Sequence, residues 1–148
     1  MARPFRLKPL VTLAKERSED AAQALARLKQ AWQQAETRRD QLVNYLEEYR
    51  QRLHQAMQEG FSIARWQDYR AFIAKLESAI LAQGEEVERC RQRWEIGQQE
   101  WQAREREVKA YVTLQIRHED AERKLEERQD QRIQDEFAGQ QHRRQDPE

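Results

Sequence analysis

Glycine and proline are scarce in this chain, with four of one and three of the other among 148 residues. They are the residues that supply tight turns and break helices, so their scarcity excludes a fold of many short elements. The single cysteine, Cys90, excludes an internal disulfide framework and fits a reducing cytoplasm. No apolar run approaches the roughly 20 residues of a membrane span. The opening MARPFRLKPL also lacks the apolar stretch of a signal peptide, so a soluble, cytoplasmic chain without direct membrane insertion is expected. An excess of one charge is missing too. Basic and acidic residues number 27 each, which leaves no overall field to hold nucleic acid or anionic lipid. Arg89, Arg91 and Arg93 form one basic run, but acids stand beside them.

With 38% hydrophobic and 36% charged residues, the chain is too polar for a sizeable globular core. Gln, Glu, Arg, Ala and Leu, all good helix formers, dominate instead, and the composition is that of a coiled coil. Stepping alternately four and three residues from Leu7 gives Val11, Ala14, Ser18, Ala21, Leu25, Leu28, Trp32, Ala35, Arg39, Leu42, Leu46, Tyr49, Leu53 and Ala56. Only Ser18 and Arg39 in that series are polar. A sustained three-four alternation keeps one apolar stripe facing a partner helix. The pattern stops at Glu59-Gly60-Phe61-Ser62, where Gly60 can take a left-handed conformation and Ser62 can cap the next helix. A second seam follows: Trp66, Tyr69, Ile73, Leu76, Ile80, Gln83, Val87, Cys90, Trp94, Gly97, Trp101, Arg104, Val108 and Tyr111.

These signals predict an all-α fold, a two-helix antiparallel coiled-coil hairpin whose second helix is the longer. Its expected parts are a single hairpin over residues 1–138, with helices at about 5–58 and 63–138 and a turn at about 59–62, then a flexible polar tail over 139–148. Folding back about residue 61 makes the numbers of facing residues add to 122. Large then meets small: Ala56 faces Trp66, Ala21 faces Trp101, Ala14 faces Val108, and Gly97 makes room opposite Leu25. The polar exceptions also face each other, Arg39 with Gln83 and Ser18 with Arg104. Cys90 falls opposite Trp32, where a small buried apolar residue is expected. The outer faces carry acid-before-base pairs at four-residue spacing: Glu48 with Arg52, Glu85 with Arg89, Glu100 with Arg104, Glu105 with Lys109 and Glu119 with Arg123.

Such an architecture has no enclosed interior in which catalytic groups could converge, so no catalytic residue is expected. His54, His118 and His142 have no second His or Cys at metal-ligand spacing, and no glycine-rich phosphate loop is present. Neither metal nor cofactor is expected. The apolar residues that the seam leaves over carry more information. Tyr45 and Phe72 lie one position off it, flanked by Leu42, Tyr49, Leu76 and Ala79. Clustered exposed aromatics signal a partner site; the plainer alternative is that they widen the stripe and lean across the seam. Beyond residue 117 the second helix outruns the first. Some 20 residues at about 1.5 Å each would project roughly 30 Å, with Leu125, Ile133 and Phe137 on one sparse face that cannot by itself offset the cost of ordering.

The runs RWQDYRAFIAKLESAI (Arg65 to Ile80), YLEEYRQRL (Tyr45 to Leu53) and DQRIQDEFA (Asp130 to Ala138) resemble the flagellar type III export protein FliJ family, and the likeness spans nearly the whole chain. The resemblance implies a non-enzymatic, central-stalk-like coupling protein, cytoplasmic and peripherally associated with the inner membrane at the flagellar base. Implied partners are the hexameric export ATPase FliI, whose ring assembly and activity it promotes, the cytoplasmic domain of the gate protein FlhA, and empty export chaperones that it helps recycle. By position, the resemblance assigns gate contact to Leu42, Tyr45, Tyr49, Phe72, Leu76 and Ala79. Arg38 and Gln83 depart from the family pattern, which has Gln and His there. Leu125, Ile133 and Phe137 would then bury against the ATPase. The competing readings are a generic structural coiled coil or general secretion chaperone, which needs no exposed aromatic patch, and nucleic-acid binding, which the charge balance disfavours.

Overall fold

The computed structural model describes residues 3–145 and is an antiparallel two-helix coiled coil. Helix α1 runs Lys8–Glu59 and helix α2 runs Ile63–Gln145, 52 and 83 residues long. No strand occurs among the described residues. The turn between the helices forms as its residues predict. Gly60 takes φ of +82°, a backbone state that side chains disfavour. The Ser62 hydroxyl then accepts a hydrogen bond from the Arg65 amide at 3.3 Å, satisfying one of the free N–H groups at the start of α2.

Contacts divide the chain into two compact units where the sequence suggests one. The first draws on Met1–Glu19 and Ala103–Glu148 as far as they are described, and the second is Asp20–Gln102. In both, burial follows the heptad series. No member of either seam, from Leu7 to Ala56 or from Trp66 to Tyr111, is exposed. The core is nevertheless thin. Val11, Ala14 and Ser18 are buried in the first unit and Ala35, Leu46, Leu76, Val87 and Cys90 in the second, none of them a large aromatic.

In the second unit Trp32 packs against Ala35, Val87 and Cys90, and its ring lies 5.4 Å from that of Trp94. A Cβ added at Gly97 would stand 2.6 Å from Leu28 Cδ1 and 3.6 Å from Leu25 Cδ1. The glycine therefore makes room for Leu28, whereas the expected Leu25 stands at ordinary contact distance.

The polar residues on the seam are satisfied differently from the expectation. Gln83 donates its side-chain amide to the Ala35 carbonyl at 3.1 Å, and Arg39 turns to its neighbour Asp40 at 3.4 Å. Ser18 donates to the Glu105 carboxylate, while Arg104 reaches Glu107 at 3.4 Å. Heptad position sets where a Cβ stands, but a long side chain can reach a neighbour on its own helix or a backbone carbonyl.

Two of the expected surface ion pairs shift by a residue. Arg89 pairs with Glu86 at 2.8 Å and Arg123 with Asp120 at 2.8 Å, both at three-residue spacing. Such exposed pairs contribute about 0 to 1 kcal/mol each.

Burial pushes the Cys90 thiol pKa up, and its hydrogen bond to the Glu86 carboxylate at 3.5 Å adds to the effect. The thiol should therefore react with an aromatic disulfide reagent at neutral pH at least about tenfold more slowly in the native protein than in denaturant. Equal rates, followed by absorbance, would show that the seam opens freely around it.

In the first unit the segment ahead of α1 is tied to α2. The His118 ring Nε2–H donates to the Arg3 carbonyl at 2.8 Å, the Phe5 and His118 rings stand 5.5 Å apart, and the Arg3 amide donates to Glu122 at 3.3 Å. His118 thus has a structural part that its spacing from other histidines did not reveal. The expected flexible tail also differs. Helix α2 continues through Gly139 to Gln145, with His142, Arg143 and Arg144 in the last turn, where positive charge favours a helix end. Residues 146–148 of that expected tail lie outside the described residues.

Candidate functional site

Near the turn, the second unit assembles a row of aromatic rings. Tyr45 contacts Tyr49 at 5.1 Å between centroids and Phe72 at 6.1 Å; Tyr49 lies 4.3 Å from Phe72 and 6.2 Å from Tyr69; Tyr69 meets Phe61 at 6.3 Å. Edge-on and tilted geometries such as these are the favourable ones for rings of this polarity. The spacing explains the row. Tyr45 and Tyr49 are one helical turn apart on α1, and the turn at Gly60 brings Phe72 and Tyr69 of α2 alongside them.

Burial sorts the six residues assigned here. Tyr45 is 43% exposed, so the off-seam expectation of an outward ring holds for it. Leu42, Tyr49, Phe72 and Ala79 are half-buried, leaning on the seam while keeping an outer edge. Leu76, only 7% exposed, points into the core. Of the six, Tyr45 alone is exposed and Leu76 alone is buried. The Tyr49 phenol is held above its ordinary pKa, first by its hydrogen bond with Tyr45 and then by burial, with Arg52 pulling the other way. It stays neutral and able to donate through the physiological range.

Sequence reasoning missed the extension of this row toward the turn. Tyr49, Arg52, Arg65, Asp68, Tyr69 and Phe72 line an open groove of about 340 Å³. Arg52 does not pair with Glu48 as its spacing suggested; its guanidinium sits over the Tyr49 ring at 5.3 Å, and that of Arg65 sits over Tyr69 at 6.0 Å. Aromatics at seam positions on both helices next to a turn were the available signal.

In the first unit, residues 123–138 of α2 are all exposed. Leu125, Ile133 and Phe137 stand among them, with Phe137 61% exposed. No cluster of three or more His, Cys, Asp or Glu residues able to hold a metal occurs among the described residues, and none of the described helices is long and apolar enough to cross a membrane.

Comparison with known proteins places the chain in a family. The family model described as flagellar FliJ protein matches residues 3–147. The flagellar FliJ protein of Escherichia coli K12 is 36% identical over 138 residues, covering 93% of this chain and 94% of that protein. The flagellar FliJ protein of Salmonella typhi is 34% identical over the same coverage. Among solved structures, a YscO homologue of Chlamydia trachomatis, CT670, superposes with a TM-score of 0.60 at 20% identity, over 97% of this chain and 96% of the other, and shares the fold. On the family match and the two relatives together, the chain belongs to the flagellar FliJ protein family and is a component of flagellar protein export.

Proposed function

We propose that the chain is a non-enzymatic coupling protein of the flagellar export apparatus. It acts in the cytoplasm at the inner-membrane face of the flagellar base, promotes assembly and activity of the hexameric export ATPase FliI, contacts the cytoplasmic domain of the gate protein FlhA, and helps recycle empty export chaperones. The observation that supports this reading is a pair of apolar surfaces open to solvent: the outer edge of the aromatic row beside the turn, led by the exposed Tyr45, and the bare stretch of α2 bearing Leu125, Ile133 and Phe137. A coiled coil whose only task is structural has no use for either, because each exposes apolar area that water disfavours. The aromatic row is the gate-facing surface, and the bare stretch is the ATPase-facing one.

Tyr45→Ala and Phe72→Ala together should weaken binding to the FlhA cytoplasmic domain at least about tenfold, the scale of losing one or two anchoring rings from an interface. Helicity should be nearly unchanged, since neither residue is buried. Titration calorimetry reads the first effect and circular dichroism the second. Unchanged affinity would favour the purely structural coiled coil, and a large loss of helix would make the two rings core residues.

A further inference from the structure

The groove that continues the aromatic row toward the turn carries charge as well as ring surface. Its lining places two guanidinium groups, Arg52 and Arg65, beside Tyr49, Tyr69 and Phe72, with Asp68 on the same rim. Among the described residues neither guanidinium is ion-paired, whereas Arg50, nearby on α1, is held by Glu77 at 3.0 Å. Each of the two instead rests over a tyrosine ring. The cation–ring contact, joined at Arg52 by a hydrogen bond with the Tyr49 hydroxyl, partly restrains each group while N–H donors remain, which lowers the entropy cost of engaging an acceptor.

We propose that this groove sets the specificity of the gate-facing surface by accepting a peptide segment in which an acidic side chain stands beside an apolar or aromatic one. Arg52 and Arg65 meet the carboxylate, and Tyr49, Tyr69 and Phe72 form the floor for the apolar neighbour. Charge complementarity argues for this occupant. A guanidinium edge matches a carboxylate through parallel, charge-assisted hydrogen bonds. Asp68 argues against a polyanion, because a run of phosphates would bring several negative charges against it, whereas one carboxylate can keep to the arginine side. The inference rests on the gate-contact reading above, and it adds which side chains of the partner are recognised.

The test uses the full chain and the gate protein's cytoplasmic domain, titrated at about 0.05 M and about 0.5 M salt, since screening separates ionic from apolar contributions. Arg52→Glu and Arg65→Glu should each weaken binding about tenfold at low salt, and Asp68→Asn should strengthen it about threefold. Both differences should shrink at high salt, while the effect of Phe72→Ala should persist. If Phe72→Ala abolishes binding but the three charge variants match the parent at both salts, apolar contact alone holds the partner. That result overturns the acidic-segment proposal and leaves the gate reading standing. If Phe72→Ala is also without effect, the gate reading and the proposal fall together.

Discussion

Ending the chain after Lys124 should abolish the proposed stimulation of the export ATPase while leaving thermal unfolding nearly unchanged. The cut keeps His118 and Glu122, which hold the segment ahead of α1 through Arg3 and Phe5, so the ordered contacts of the first unit survive. What it removes includes Leu125, Ile133 and Phe137, all exposed and therefore contributing little to folding. The same residues, buried against another protein, would be the source of binding energy. Three apolar side chains at about 1.5 to 3 kcal/mol each are enough to decide whether a complex forms. ATP hydrolysis measured with the intact and shortened chains gives the answer. Undiminished stimulation would remove the ATPase-facing part from the bare stretch of α2, and a collapse of the melting transition would show that it belongs to the fold.

The largest stability loss is expected at Trp32. In a core this thin, one indole covers what several smaller side chains would cover elsewhere: it contacts Ala35, Val87, Cys90 and Trp94. Trp32→Ala should cost about 3 kcal/mol, the lower end for removing a large aromatic, because the ring is half-buried. Trp32→Phe should cost less than about 1 kcal/mol. The indole N–H is buried with no acceptor among the described residues, so replacing it forfeits no hydrogen bond within the protein. Denaturant melts of the parent and the two variants, followed by helical ellipticity, make the comparison. Equal losses in the two would show that a phenyl ring recovers none of the indole's packing.

The course of the two seams was legible in the sequence because burial in a coiled coil depends on backbone period, which residue type reports directly. Cys90 behaves as the small buried residue its place opposite Trp32 predicted. Gly97 makes room as a seam glycine should, but for Leu28 and not for the Leu25 that the register placed opposite it. Gln83 and Ser18 were read less well, since the acceptors they chose, a backbone carbonyl and a carboxylate one residue beyond the expected partner, carry no heptad signature. Gly139 was read as an end, but one helix-weakening residue costs about 1 kcal/mol and does not by itself stop a helix with good formers on both sides. At the candidate site, Tyr45 and Phe72 stood out because they break the period. Tyr69, Arg52 and Arg65 obeyed a regular pattern, so only their spatial gathering beside the turn distinguishes them.

The turn at Gly60 also sets an order of assembly. Arg50 and Glu77, near it, are 27 residues apart in sequence, whereas His118 and Arg3 are separated by 115. Closing the wide loop first costs about 1 kcal/mol more in chain entropy than closing the narrow one, and gains no adjacent contact in return. Pairing that starts beside the turn places each later pair next to one already made. The chain should therefore zip outward from the bend, with the Arg3–His118 tie last to form and first to open. The aromatic row should then form in the opening steps of folding, so the surface proposed to face the gate exists before the segment ahead of α1 has met α2.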